Sequence, residues 1–251
     1  MGEITEALRR AKDQRESRRE PGARTGDEVV ADSTAARAGI DGPTPGPSPA
    51  ARPAPEPVRR ETGDAPAAIS RERDETWPAR AVLLDPRQPH TERFRRFALR
   101  VRHAFQRMDT HSLLVTSSLR SEGKTFTSCN LALAFASMAA AERIALLELD
   151  TRRPSVARSL GVAPRAGVEE VLAGSASLDD VRVRTELPSL DLFLVREPPE
   201  RAHELLALPS LADLLRELGR RYDAVIVDSP PLLLVPDVPL IVEHVGACIA
   251  V

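Results

Sequence analysis

The sequence predicts an α/β domain in which a mostly parallel sheet carries helices on both faces. Near-continuous apolar runs, typical of strands buried on both sides, alternate with helical patterns in the C-terminal two thirds. One helical pattern places Leu211, Leu214, Leu215 and Leu218 on a single stripe. We expect strands at 112–117, 143–149, 190–195, 223–228 and 246–251, and helices at 124–140, 167–173 and 208–221.

A different composition precedes this domain. Nine prolines lie between Pro21 and Pro66, and this part of the chain contains no leucine. Such a segment buries too little apolar surface to offset its ordering entropy. The predicted organisation is a short amphipathic helix over 1–19, a disordered Pro/Ala/Arg-rich linker over 20–79 and the α/β domain over 80–251.

Composition excludes several classes of protein. The net charge of −2 leaves no electrostatic footprint for nucleic acid, so we expect no nucleic-acid partner. The two cysteines, Cys129 and Cys248, lie in apolar runs and indicate a reducing compartment rather than a disulfide framework. Because no apolar run reaches the roughly 18 residues of a membrane span, we expect a cytoplasmic protein. Any attachment to the inner face of the membrane would then come through a partner or a surface helix.

Residues 91–108 form a second helical pattern, which carries six arginines against one glutamate, Glu92. One interpretation is a core helix with a solvated basic face. The other is a contact surface for an acidic partner, a neighbouring subunit or a lipid surface. The apolar residues that recur at helical spacing are Phe94, Phe97, Ala98, Val101, Phe105 and Met108.

The first chemical motif is an apolar run followed by a polar loop, Gly123-Lys124-Thr125 and a helical pattern. Strand, loop, Gly-Lys-Thr and helix is the phosphate-binding P-loop, so the fold is P-loop NTPase-like. Gly123 admits the backbone close to a phosphate, Lys124 offers a positive charge and Thr125 a hydroxyl for Mg²⁺. The candidate nucleotide-binding residues are Ser118, which replaces the usual first glycine, with Ser121, Glu122, Gly123, Lys124, Thr125 and Phe126.

A second apolar run ends in Glu148-Leu-Asp150-Thr-Arg152. Alternate residues of a strand share one side, so the two carboxylates are expected together at the strand end. Carboxylates at that place can hold Mg²⁺ through water and accept a proton from a nucleophile. Arg152 can steady phosphate oxygens. An ordinary solvated strand end is the alternative interpretation.

The third motif is Tyr222-Asp-Ala-Val-Ile-Val-Asp228-Ser-Pro230-Pro231. Asp228 ends an apolar strand, the usual position of the acid that holds Mg²⁺ through its water shell. The two prolines stiffen the loop beside it. Asp228 alone is a weak signal, whereas the order of the three motifs is a strong one.

Together these motifs resemble the bacterial tyrosine kinases of capsule and exopolysaccharide synthesis, over about residues 81–251. The resemblance implies binding of ATP with Mg²⁺ and transfer of the γ-phosphoryl group to protein tyrosines. It also implies a partner, the cytoplasmic tail of a membrane polysaccharide co-polymerase, and a possible homo-oligomer. The implied catalytic residues are Lys124, Glu148, Asp150, Arg152 and Asp228, and the implied metal ligands are Thr125, Asp150 and Asp228.

The chain departs from the family pattern in three places. The family's helix before the P-loop carries Glu-x-x-Arg-x-x-Arg for subunit contacts, and here Glu92 and Arg95 fit but Ala98 holds the third position. Glu148 stands where the family has Asp, which lengthens the expected base by one methylene. The family continues beyond Val251 with a further strand–helix section and a tyrosine-rich tail, so a C-terminal truncation is expected. A regulatory ATPase and a nucleotide-gated, non-catalytic scaffold remain alternatives to the kinase. Partition and division-site ATPases rank lower because Leu119 occupies the position of their signature lysine, and no G-x-G-x-x-G marks a dinucleotide-binding protein.

Overall fold

The computed structural model of the chain describes residues 66–69, 89–138 and 141–251. The predicted helix over 1–19 and most of the predicted linker over 20–79 lie outside the described residues. Within the described ranges, no helix is both long enough and apolar enough to cross a bilayer.

Helices and strands alternate along the domain. The helices are α1 (Pro89–Met108), α2 (Lys124–Met138), α3 (Val156–Leu160), α4 (Val168–Leu172), α5 (Ala202–Leu206), α6 (Ser210–Arg221) and α7 (Asp237–Val242). The strands are β1 (Ser112–Thr116), β2 (Ile144–Glu148), β3 (Arg182–Arg184), β4 (Leu190–Phe193), β5 (Ala224–Asp228) and β6 (Ala247–Ala250).

The strands form one six-stranded sheet in the order β3-β4-β2-β5-β1-β6. All neighbouring pairs are parallel except β3 with β4, which is antiparallel. The mostly parallel sheet is therefore confirmed. The central strands β2 and β5 are buried along their whole length, which explains why they read as continuous apolar runs.

Alternate residues of the four inner strands, β4, β2, β5 and β1, face two separate hydrophobic cores. Along β2, Ile144 and Leu146 pack into the core that contains α1 and α2 residues. Ala145 and Leu147 pack into the core that contains α4, α6 and α7 residues. Helices therefore cover both faces of the sheet, as predicted. The leucine stripe of α6 is buried in the second core.

The core interpretation of α1 is the one that the structure supports. Phe105 stacks on Phe135 of α2 with ring centroids 6.2 Å apart, and Ala98 and Val101 are buried. Met108, which was predicted to share this buried face, is 54% exposed because it is the last residue of the helix. The remaining basic face of α1 is available for a contact surface.

Four elements were not predicted from the sequence. They are the three-residue antiparallel strand β3 and the short helices α3, α5 and α7, each of five or six residues. Such short pieces contain less than two turns of helix or one strand alternation, so their periodicity is too weak to detect. Tertiary contacts rather than local propensity stabilise them.

Residues 66–69 depart from the linker prediction. Ala67 forms a parallel bridge with Thr185 beside β3, donating its N–H to the Arg184 carbonyl at 2.8 Å and accepting the Glu186 N–H at 3.1 Å. Ile69 is only 2% exposed and belongs to the first core. This short stretch is docked on the sheet edge, where backbone pairing and one apolar side chain offset the cost of ordering it.

Replacement of Ile69 by Ala should lower the free energy of unfolding by about 2 kcal/mol, because a buried side chain is truncated. The lower end of the usual range is expected, since the docked stretch can detach instead of leaving a cavity. Leu208→Ala is the control, because Leu208 is 45% exposed and should change stability by no more than about 0.5 kcal/mol. Urea denaturation of both variants measures this, and equal stability of Ile69→Ala and wild type would contradict the docking.

Candidate nucleotide and phosphoryl-transfer site

The carboxyl ends of β1, β2 and β5 lie side by side at one edge of the sheet. Asp228, the last residue of β5, is in register with Val115 of β1 on one side and with Glu148 of β2 on the other. The three sequence motifs therefore meet at one place. Ligands of open α/β sheets bind at this kind of edge.

The loop between β1 and α2 is shaped by its own side chains and by two residues with positive φ. The Ser117 hydroxyl donates to the Leu119 carbonyl at 2.6 Å, and the Glu122 carboxylate accepts the Leu119 N–H at 2.7 Å. Ser121 and Gly123 have φ values of 61° and 100°. A backbone that turns in this way can direct several N–H groups toward one anion.

Lys124 and Thr125 begin α2 directly after this loop. The Lys124 side chain is only 8% exposed, and it forms no ion pair with any described carboxylate. The ring of Phe126 packs edge-on against Phe94 at 5.6 Å, so its backbone N–H rather than its ring is the group expected to meet a phosphate. Ser118 and Ser121 are exposed on the loop.

Asp228 connects the sheet to α2 through two hydroxyl groups. Its Oδ2 accepts from Thr125 Oγ1 at 2.8 Å, and its Oδ1 accepts from Ser128 Oγ at 2.9 Å. The residue is fully buried. Burial raises the pKa of the Asp228 carboxyl to about 7, against the lowering effect of these two hydrogen bonds. A cation beside this carboxylate would stabilise its charged form.

The loop after β2 carries Asp150 and Arg152. Asp150 is 9% exposed, and burial raises its pKa while the positive charge of Lys124 opposes that rise. Arg152 is held by buried Asp237, which accepts from Nε at 2.7 Å and from Nη2 at 3.2 Å. His203 Nδ1 lies 3.0 Å from the same carboxylate. Arg152 is thus oriented from the start of α7.

Glu148 occupies a different environment from the other two acids. It is fully buried, and its carboxylate accepts the backbone N–H groups of Ser155, Val156 and Val195. Burial raises the pKa of Glu148 to about 8, although these backbone bonds act in the opposite direction. Its assignment as the base stays a prediction.

The loop after β5 is attached to the phosphate loop. The Thr116 hydroxyl donates to the Pro230 carbonyl at 2.9 Å, and the Leu232 N–H donates to the Ser117 carbonyl at 2.8 Å. These contacts place the Pro230-Pro231 turn directly beside the start of the P-loop. The two loops that border the site therefore support each other.

The residues at this edge fit Mg²⁺ and a nucleotide phosphate. Mg²⁺ is usually held by one or two carboxylates together with hydroxyls, water and phosphate oxygens. Thr125 and Asp228 provide one hydroxyl and one buried carboxylate in mutual contact. A Cβ built on Gly123 would meet only Val251 Cγ1, at 3.9 Å, so open space lies beside this backbone. Among the described residues, no group of three or more His, Cys, Asp or Glu could hold a metal without further ligands.

Comparison with known proteins identifies the family. The chain is 29% identical to the putative tyrosine-protein kinase EpsB of Ralstonia solanacearum over 66% of its own length, and spans 22% of EpsB. It is 30% identical to the VpsO kinase domain, with a TM-score of 0.57, over 64% of this chain and 79% of that one. The chain belongs to the bacterial tyrosine kinases of capsule and exopolysaccharide synthesis. No family model matches it.

The kinase domain of the Escherichia coli tyrosine kinase ETK supports the same assignment. It is 28% identical to this chain, with a TM-score of 0.64, and the match covers 72% of this chain and 70% of that one. The resemblance that the motifs indicated is thereby confirmed. The chain spans about a fifth of the length of the curated EpsB relatives that it matches.

The sequence motifs missed four residues that shape the site. Ser128 lies three positions after Thr125 and hence on the same helix face, a spacing that could have indicated it. Ser155, whose hydroxyl lies 2.9 Å from Thr125 Oγ1, lies three residues after Arg152, the end of the second motif. Asp237 and His203 reach Arg152 only through tertiary structure, so no local pattern could have indicated them.

Metal-free protein should lose stability as the pH rises from about 4 toward about 8. Because the folded-state pKa of Asp228, about 7, lies above its usual value of 3.8, the folded state binds more protons between these values. The stabilisation that Asp228 contributes is complete below its usual pKa of 3.8 and is lost as the pH rises past its folded-state pKa of about 7. Thermal unfolding at several pH values without Mg²⁺ measures this dependence, which should be weaker in Asp228→Asn.

Asp213→Asn serves as the control for that experiment, since Asp213 is an exposed residue of α6. Its pH dependence should match that of wild type. Parallel pH profiles for wild type and Asp228→Asn would contradict the burial argument.

Proposed function

We propose that this chain binds ATP with Mg²⁺ and transfers the γ-phosphoryl group to tyrosines of a separate protein. The observation that carries the proposal is the hydrogen bond between Thr125 and Asp228. Thr125 directly follows Lys124 in the sequence, and the chain belongs to a family of tyrosine kinases. Phosphoryl transfer requires little covalent chemistry from the protein. It depends on the positioning of the reacting groups and on neutralisation of the phosphate charge. Each part of the site matches one of these needs.

The phosphate loop supplies the first part. The backbone N–H groups between Ser118 and Thr125 would bind the β- and γ-phosphate oxygens, and Lys124 would neutralise their charge. Bound Mg²⁺ would contribute further neutralisation of the phosphates. Thr125, Asp150 and Asp228 are the residues proposed to hold it, directly or through water.

Arg152 supplies the second part. Asp237 uses two of the five guanidinium N–H groups, which leaves three for phosphate oxygens. A guanidinium held in one orientation loses less side-chain entropy on binding than a free one. Asp150 is 9% exposed and lies in the same loop as this arginine, which leaves it open to the approach of a tyrosine hydroxyl.

The partner is proposed to be the cytoplasmic tail of a membrane polysaccharide co-polymerase, which would also bring the chain to the inner face of the membrane. The support for this is the family membership and the basic face of α1. Arg96 pairs with Glu92 on that face, but the other exposed arginines of α1 outnumber its single acid. A surface of this kind suits an acidic partner or a neighbouring copy.

Lys124→Met should weaken binding of Mg-ATP about 10- to 150-fold, because a charge-assisted contact worth about 1.5–3 kcal/mol is removed. The other lysine of the sequence, Lys12, provides a matched control, and Lys12→Met should bind as wild type does. Isothermal titration calorimetry at constant Mg²⁺ measures both. Equal affinities of wild type and Lys124→Met would mean that the loop does not bind the phosphates.

Tyr222, the sole tyrosine, should not become phosphorylated. It is 3% exposed, and its hydroxyl donates to Asp191 at 2.8 Å. Tyr222 lies just before the first residue of β5, whereas Asp228 is the last residue of that strand. Burial raises the pKa of its hydroxyl further from that of a nucleophile. With labelled ATP, Mg²⁺ and a tyrosine-bearing co-polymerase tail, label should reach the tail alone, equally for wild type and Tyr222→Phe. Label on Tyr222 would contradict the proposed geometry, and nucleotide binding without any label would favour the scaffold.

A further inference from the structure

Both oxygens of the Glu148 carboxylate accept hydrogen bonds from the backbone around it. Oε1 accepts the N–H groups of Ser155 at 2.6 Å and Val156 at 2.8 Å, and Oε2 accepts the Val195 N–H at 3.1 Å. These three donors come from the start of α3 and from the segment after β4. The residue has no exposed surface. One side chain thus joins three separate segments at the edge of the sheet.

A proton acceptor must come within about 2.6–3.2 Å of the hydroxyl that it deprotonates. Glu148 has no exposed surface for such an approach, whereas Asp150 is 9% exposed. Freeing Glu148 would leave three N–H groups without this partner, and those of Val156 and Val195 are buried, so their loss carries a substantial cost. We infer that Glu148 is a positioning residue that holds the α3 loop against the Mg²⁺-binding threonine, and that it is not the proton acceptor of the reaction.

The link to the threonine passes through Ser155. Glu148 binds the backbone N–H of Ser155, and the Ser155 hydroxyl lies 2.9 Å from Thr125 Oγ1. Thr125 also donates to Asp228, so its hydroxyl is fixed between two neighbours. A ligand oxygen that is held in place in advance binds a metal without further ordering. The inference rests on the proposed function, because it concerns the same Mg²⁺ site.

The length of the side chain matters to this role. The backbone of residues 148 and 149 is fixed on β5, since Glu148 is in register with Asp228 and the Leu149 N–H donates to the Asp228 carbonyl at 2.7 Å. An aspartate at 148 would keep the carboxyl group but place its oxygens one methylene further from Ser155 and Val195. A carboxyl group alone is therefore insufficient, and the length of the glutamate fits the contacts that this chain makes.

Four variants of the full chain test the inference. Glu148→Gln replaces one acceptor oxygen by an NH2 group at constant size, and Glu148→Asp keeps the carboxyl group at shorter reach. Ser155→Ala removes only the hydroxyl that meets Thr125. Glu169→Gln is the matched control, because Glu169 also accepts backbone N–H groups, those of Arg196 and Glu197, in a different loop. Two readouts are taken: amide hydrogen exchange without nucleotide, and the ratio of ATP affinities with and without Mg²⁺.

In Glu148→Gln and Glu148→Asp, the amides of Ser155, Val156 and Val195 should lose protection from exchange. The Mg²⁺-dependent gain in ATP affinity should fall by about tenfold or more, because more than one of the hydrogen bonds that hold the α3 loop is lost or weakened. In Ser155→Ala the amides should keep their protection. The Mg²⁺-dependent gain in ATP affinity should fall by about 2- to 10-fold, which is the effect of losing one neutral hydrogen bond. Glu169→Gln should leave the Mg²⁺ effect unchanged.

Unchanged amide protection in Glu148→Gln, or an unchanged Mg²⁺ effect there, would overturn the inference. The same holds if Glu148→Gln binds Mg-ATP as wild type does while its transfer to tyrosine is abolished, which is the behaviour of a proton acceptor. Failure of wild type to bind Mg-ATP would instead contradict the proposed function, so the two claims fail by different results.

Discussion

The buried carboxylate of Asp228 is the interaction on which the site depends. A buried charge is costly unless it is well bonded or paired. Here the hydroxyls of Thr125 and Ser128 occupy one oxygen each, so the same contact satisfies the acid and locks the start of α2 onto β5. The position of Lys124 follows from that lock, because it is the first residue of the helix.

The rest of the fold keeps this contact in place. Helix α2 carries no charged residue after Lys124 and is buried between the sheet and α1, so it cannot turn without exposing its apolar surface. The parallel register sets Asp228 between Val115 and Glu148, which brings the strand ends of three motifs together. The chemistry is thus carried by loops, and the rigid sheet determines where those loops begin.

The order of the elements in the core could be predicted from the sequence because its strands are almost wholly apolar. The Gly123-Lys124-Thr125 motif and the acids at 150 and 228 were found for the same reason, since each lies at the end of such a strand or in the loop after it. Long-range partners could not be found in this way. Asp237 lies 85 residues from Arg152, and Ile69 docks onto the sheet edge from within a composition typical of disorder. Glu148 was predicted from its position in a motif, whereas its contacts depend on two loops that converge only in the folded chain.

A crystal structure of the chain with Mg²⁺ and a non-hydrolysable ATP analogue tests the central claim most directly. The account predicts that the phosphates lie against the backbone N–H groups between Ser118 and Thr125. It also predicts that Mg²⁺ contacts the Thr125 hydroxyl while Asp228 keeps its hydrogen bond to Ser128. A nucleotide bound elsewhere, or an Asp228 side chain turned away from α2 in the loaded site, would contradict the account.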